Sequence, residues 1–213
     1  MTEIPIILRL KKQIQKNLAL AQDIIVKELF FVFEDAVLHG GTAIWRCYGG
    51  DRFSEDVDAY IPRDEKRLEV FFKNLESKGF RIEKKKISEN GMYSSLIFNR
   101  IAVRFEAFFK KVKGSLKEYE NCKGNFSTIN TLTPEELIRE KVQAYQNRLK
   151  IKDLYDIFFL LRHVKDKGII KEELEIFIKN FKKPLDESNL KVILLEPIAP
   201  SSEDLLNYIK REV

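Results

Sequence analysis

One change of rhythm, at Thr133-Pro134-Glu135-Glu136, limits more than any other feature what this chain can fold into. Before it, helix-like and strand-like spacings of apolar residues alternate; after it, only helix-like spacings follow. Residues 10–33 carry Ile14, Leu18, Ala21, Ile25, Leu29 and Val32 at intervals of three and four, the stripe of a helix. Ala36-Val37-Leu38 is a short apolar strand that runs into Gly40-Gly41, and residues 42–48 read as a short helix closed by Gly49-Gly50. Residues 56–61 alternate charged and apolar side chains as a strand does, Pro62 ends them, and residues 65–78 form a helix stopped by Gly79. Three β-rich segments follow, at 80–87, 92–98 and 101–109, with Asn99-Arg100 the right length for a hairpin link between the last two. The order α, β, α, β, α, β, β, β predicts an α/β lobe around one mixed sheet.

Residues 114–125 are polar and carry no element in this reading. Beyond them Thr133 is suited to cap a helix, with Pro134 at its first position and Glu136 at its third. Helices are expected at 134–148, 152–163, 171–180 and 202–211. The chain of 213 residues therefore divides into a lobe over 1–130 and a helical lobe over 131–213.

Composition narrows the setting. A net charge of +5, from 38 basic and 33 acidic residues, suggests an anionic partner, and charge placement must identify it. Cys47 and Cys122 stand far apart with no CxxC or His-rich neighbourhood, which supports neither a disulfide framework nor a zinc site and fits a reducing cytosol. The N-terminus lacks the apolar core and small-residue cleavage site of a secretory signal, and no run approaches the roughly 20 apolar residues of a membrane span. A cytoplasmic protein without a membrane partner is the expectation.

Asp56 and Asp58 carry the sharpest chemistry. Residues two apart on a strand share a face, which places these carboxylates about 7 Å apart at the α-carbons. Magnesium takes oxygen ligands from one or two carboxylates plus substrate phosphates. Thr42 lies fourteen residues before Asp56, at a strand-to-helix turn where Gly40 and Gly41 let backbone amides approach phosphate oxygens and the Thr42 hydroxyl can add a hydrogen bond. Taken singly, the acid pair also describes a solvated strand end and the glycines an ordinary turn; the combination is what points to chemistry.

The span HGGTAIWRCYGGDRFSEDVD, His39 to Asp58, resembles the AbiEii/AbiGii toxin family of nucleotidyltransferases. That family's pattern is a GGT-type turn, then YG, then R-x-S-x-D-x-D. His39 to Ala43, Tyr48-Gly49, Arg52, Ser54, Asp56 and Asp58 match it in order. A second block, EKVQAYQNRLKIKDLYDIFFL, is similar to the family's K-x-x-A-x-x-x-R followed by R/K-D-x-Y-D, matched by Lys141, Arg148, Lys152, Asp153, Tyr155 and Asp156. The resemblance implies a fold of the DNA polymerase β superfamily, a nucleoside triphosphate substrate and magnesium, with two metal ions expected. By it, Asp56, Asp58 and Glu106 are metal ligands, and these three with Lys141 and Asp153 are catalytic. Gly40, Gly41, Thr42, Arg52, Ser54, Lys141 and Arg148 are then nucleotide-binding. Glu106 stands where superfamily members place a third carboxylate, and an ion pair with Arg104 or Arg46 is its alternative.

On a helix Lys141, Tyr145 and Arg148 share one face, so two cations could reach a triphosphate or an RNA backbone; a basic solvent face is the other reading. Lys84-Lys85-Lys86 is a further basic run, either solvated or in contact with nucleic-acid phosphate. His39 reads as structural, His163 as a helix-end residue, and Trp45 and Phe158-Phe159 as core. The expected reaction moves a nucleoside monophosphate from a triphosphate to an acceptor hydroxyl and releases pyrophosphate. RNA, at the acceptor end of tRNA, is the substrate that the resemblance implies, with the chain acting as the toxin beside a cognate antitoxin protein. Modification of a protein hydroxyl and an idle nucleotide- or RNA-binding role are the alternatives.

Overall fold

The computed structural model describes residues 4–195 and 198–213. Its elements run α1 (Ile6–Arg9), α2 (Gln13–Val32), β1 (Val37–His39), α3 (Gly40–Cys47), β2 (Asp56–Ile61), α4 (Glu65–Ser77), β3 (Arg81–Ile87), β4 (Gly91–Phe98), β5 (Ile101–Phe109), β6 (Ser115–Glu120) and β7 (Phe126–Thr131). Helices α5 (Pro134–Arg148), α6 (Ile151–Leu160), α7 (Lys171–Lys179), α8 (Leu190–Ile193) and α9 (Ser202–Glu212) follow, with 3-10 turns at Lys167–Ile170 and Glu187–Asn189. The chain forms two compact units. One takes the residues up to Cys47 together with Ser54–Thr131; the other takes Tyr48–Phe53 and the residues from Leu132 onward.

The first unit is a mixed seven-stranded sheet in the order β3-β4-β5-β2-β1-β7-β6. Strands β2 and β5, and β1 and β7, are parallel; the other neighbours are antiparallel. The stripe of α2 lands as its spacing dictates. Leu18, Ala21, Ile25 and Leu29 are buried, while Ile14, at the helix start, is exposed. With α4, whose Leu68, Phe71, Phe72 and Leu75 are buried, α2 covers the sheet face formed by Val57, Ala59, Val103, Phe105 and Ala107. Each fully buried side chain of this size contributes about 1.5–3 kcal/mol, so one face of the sheet is fixed firmly and the opposite face is left for polar residues. Asn99 and Arg100 link β4 to β5 as a two-residue hairpin, both with positive φ (48° and 65°), as such tight turns require.

Two departures from the sequence reading concern backbone. The polar stretch 114–125 is not loop: β6 and β7 form a hairpin at one edge of the sheet. Its turn is held by the Asn121 side chain, which accepts from the amides of Lys123 and Asn125, and by Gly124 at φ 79°. The short helix after β1 begins at Gly40 rather than Thr42, so both glycines belong to its first turn.

In the second unit α5 starts as its sequence specifies. The Thr133 hydroxyl accepts from the Glu136 amide at 3.3 Å, and the Glu136 carboxylate accepts from the Thr133 amide at 2.8 Å. Leu149 ends α5 in the left-handed region, φ 49°, and the chain turns back into α6, which packs on α5 and α9. Among the described residues no helix is long and apolar enough to cross a membrane.

Candidate active site

The site in the first unit is written by strand register. In β2 the alternation sends Val57, Ala59 and Ile61 into the core and Asp56, Asp58 and Tyr60 to the opposite face. The parallel partner β5 sets Arg104 beside Asp56 and Glu106 beside Asp58, while on the other flank β1 sets His39 beside Asp58. Tyr93 of β4 continues the row next to Glu106. Neighbouring strands lie about 4.8 Å apart, so His39, Asp58, Glu106 and Tyr93 form one line across four strands. Glu106 is half-buried on the carboxylate face, not in the core. Burial, then the nearby Asp58 and Asp56 carboxylates, push its pKa above the ordinary value of 4.5.

Helix α3 meets this row directly. A Cβ on Gly40 would overlap a carboxylate oxygen of Asp58, and the residue sits at φ 70°, so glycine is needed there twice over. The first-turn amides of α3 thus begin immediately beside the acids. Thr42 differs from expectation. It is fully buried, and its hydroxyl donates to the backbone carbonyl of Asp56, tying α3 to β2 instead of facing a phosphate. Gln22 of α2 completes this tie by donating to the Ser54 carbonyl at 2.8 Å, and Ser54 itself is buried.

Arg104 was expected to be a partner of Glu106 if any residue was. It instead chelates Asp56, with Nε to Oδ1 at 2.6 Å and Nη2 to Oδ2 at 2.9 Å. Arg46, the other suggested partner, is itself buried and lies 3.3 Å from the half-buried Asp23 and 3.4 Å from the Cys122 sulfur. Among the described residues no three Asp, Glu, His or Cys side chains converge closely enough to enclose a metal ion without further donors. Asp56, Asp58 and Glu106 offer only carboxylate oxygens, the donor type that magnesium takes.

The remaining expected site residues lie in the second unit, gathered around two fully buried aspartates. Arg52 donates through Nε and Nη2 to both oxygens of Asp156, each at 2.6 Å, and Lys141 reaches the same carboxylate at 2.8 Å and Asp153 at 3.5 Å. Arg148 chelates Asp153 with two 2.7 Å bonds. Burial alone would raise the pKa of Asp156, but Arg52 and then Lys141 hold it below the ordinary 3.8. Arg52 and Lys141 are themselves buried, so the expectation of cations displayed on a helix face holds only for Arg148, whose side chain is 46% exposed. Tyr145, grouped with them by spacing, donates to the Lys182 carbonyl and stacks on Phe181.

Asp156 and Arg104 are the two residues that site reasoning undervalued. Asp156 lay in the matched block, three residues after Asp153, and its helical spacing to Asp153 was the available signal. Arg104 was offered only as a partner for Glu106; its pairing with Asp56, 48 residues away, has no local signal.

The pattern of the family described as nucleotidyl transferase AbiEii toxin, type IV TA system, matches residues 24–211. The structure of JHP933 from Helicobacter pylori is similar with TM-score 0.65 and 18% identity, over 95% of this chain and 91% of that one. MenT4, a nucleotidyltransferase toxin from Mycobacterium tuberculosis H37Rv, is similar with TM-score 0.66 and 16% identity, over 93% and 82%. At these identities the likeness is one of fold. No curated protein sequence matches the chain.

Proposed function

Because this chain belongs to the AbiEii nucleotidyltransferase toxin family, we propose that it uses magnesium to move a nucleoside monophosphate from a nucleoside triphosphate to a hydroxyl of RNA, at the 3' end of tRNA. One observation carries the proposal: Asp58 and Glu106 stand side by side on parallel strands, Asp56 shares their face, and Gly40 lies in contact with Asp58. A phosphate-binding helix start and an oxygen donor set therefore meet at one point.

Asp56, Asp58 and Glu106 would hold magnesium together with triphosphate oxygens. Bound there, magnesium would neutralise phosphate charge and stabilise the attacking and leaving oxygens. The Gly40 and Gly41 amides take phosphate oxygens as hydrogen-bond acceptors. Glu106, nearest the acceptor side of the row, accepts the proton of the acceptor hydroxyl. The acceptor oxygen then bonds to the α-phosphorus, the bond from that phosphorus to the bridging oxygen breaks, and pyrophosphate leaves. In the second unit three cations, Arg52, Lys141 and Arg148, face two carboxylates, Asp153 and Asp156, and the surplus of positive charge suits a triphosphate. Within this unit Lys141 and Arg148 are proposed as phosphate-binding cations, with Asp153 and Arg52 fixing them in place.

RNA is favoured over a protein acceptor by the basic strand β3. The test is incubation of the protein with each labelled triphosphate, magnesium, and either RNA or cell protein. Label in RNA supports the reading; label in protein alone, or none in either, overturns it.

A further inference from the structure

Across the sheet, the helix start at Gly40 lies on one side of the carboxylates, beyond β2 on β1, and a different surface lies on the other side, on β5, β4 and β3. Register puts Tyr93 next to Glu106, and Lys86 next to Tyr93, while Lys84 stands opposite Ser95. All five therefore project from the carboxylate face. The Lys84 ammonium lies 5.6 Å from the centre of the Tyr93 ring. Phe108, two residues beyond Glu106 on the same face, is 49% exposed although it is a large apolar ring. Beside it a cavity of about 360 Å³ is lined by Glu106, Tyr93, Phe108, Lys86, Asn90 and Gly91 among others. Gly91 cannot carry a side chain there, because a Cβ would collide with the Ala107 carbonyl.

We infer that this cavity is the acceptor site, and that it takes the terminal nucleoside of a single-stranded nucleic acid, with the base against Phe108 and Tyr93 and the preceding phosphates along Lys84 and Lys86. This inference rests on the function proposed above and supplies its acceptor. An exposed aromatic ring beside lysines is the combination that binds single strands without reading sequence: the ring stacks on a base and the ammonium groups pair with phosphates. On this face strand β3 carries three cations, Arg81, Lys84 and Lys86, against one carboxylate, Glu83, which is itself hydrogen-bonded to Ser95 at 2.8 Å; Lys85 lies on the other face, over the Phe72 ring. The charge therefore fits a polyanion and not an acidic-poor protein segment. Placement is equally specific. A terminal hydroxyl in this cavity adjoins Glu106, with the carboxylates between it and the α3 start, so that acceptor and donor approach from opposite sides.

The test uses the full chain and a dye-labelled oligoribonucleotide with a free 3' hydroxyl, read by fluorescence anisotropy without triphosphate, and a separate titration with a triphosphate. Phe108→Ala is expected to weaken RNA binding roughly 5- to 150-fold, the loss of one base stack, and Phe108→Tyr to restore most of it. Lys84→Ala with Lys86→Ala, both exposed, should reduce the slope of log affinity against log salt by about 1.4, the share of two single-strand phosphates. Triphosphate affinity should stay within twofold of wild type in all of them. Unchanged RNA affinity in both variants would overturn the assignment and leave the lysines as guards of an exposed sheet edge. So would an equal loss of triphosphate affinity, or a wild-type protein that binds no oligoribonucleotide. If RNA binding behaves as expected but wild type transfers no label, the transfer reading fails while the binding site stands.

Discussion

The two units assemble the same residue types in opposite ways. On β2 and β5 three carboxylates share a face with Arg104, which is half-exposed and chelates Asp56. Around α5 and α6 two aspartates with no exposed surface are matched by Arg52, Lys141 and Arg148. In the first arrangement burial and the neighbouring carboxylates raise the pKa of Glu106; in the second Arg52 and Lys141 outweigh burial and lower that of Asp156. Like charges gathered at a half-open face cost stability and persist where a ligand relieves them, whereas a buried, compensated cluster holds its members in one geometry. Under the proposed function the first cluster binds a ligand and the second positions its own members.

The comparison breaks most sharply at Asp58. Asp58→Asn keeps the volume and removes a charge, so label transfer should fall roughly a thousandfold or more, as expected when several kcal/mol of charge stabilisation are lost. Its melting temperature should hold or rise, and a variant with wild-type transfer would end the carboxylate mechanism. Asp156→Asn should do the reverse. It strands Arg52 and Lys141 without their counter-charge, and urea unfolding should show a loss of about 3–5 kcal/mol. A loss below about 1 kcal/mol, the scale of a surface pair, would mean the cluster is not structural.

Acid titration sharpens the contrast in sign. The folded pKa of Asp156 is depressed, so its contribution is present above the unfolded value near 3.8 and is lost as pH falls through the folded pKa. Glu106 is raised, so its contribution is present below the unfolded value near 4.5 and is lost as pH rises through the folded pKa. Melting curves at stepped pH should therefore show Glu106→Gln gaining on wild type as pH rises above 4.5, and Asp156→Asn losing on wild type as pH rises from below 3.8. Parallel curves for either variant would remove that residue from the comparison. The smallest effect belongs to Arg104. Its pair with Asp56 is half-exposed and worth about 0.2–1 kcal/mol, so Arg104→Ala should lower the magnesium concentration for half-maximal transfer about 1.5- to 5-fold. A higher requirement would show that Arg104 serves the site rather than competing for it.

Much of this was legible locally. The alternation of residues 56–61 and the capping box at Thr133 located β2 and α5, because pleat period and cap geometry are properties of a few neighbouring residues. The hairpin β6–β7 was not read, although Asn121 and Gly124 marked its turn. Half of its strand residues are exposed and most are polar, as an edge of a sheet permits, so the apolar alternation that identifies a strand is missing. Thr42 was misread for a different reason. A hydroxyl beside a glycine turn suits a phosphate, and only the packing of α3 on β2 shows that the Asp56 carbonyl takes it.

By itself the sequence determined the family, the two acids on one strand face and the helical character of everything after Thr133, since each depends on spacing along the chain. Tertiary structure decided which charge answers which. Arg104 finds Asp56 across 48 residues and Arg52 finds Asp156 across 104, through the register of parallel strands and the packing of buried groups. Those choices follow from desolvation: a buried carboxylate takes whatever cation the fold brings within about 3 Å, and sequence distance places no limit on that.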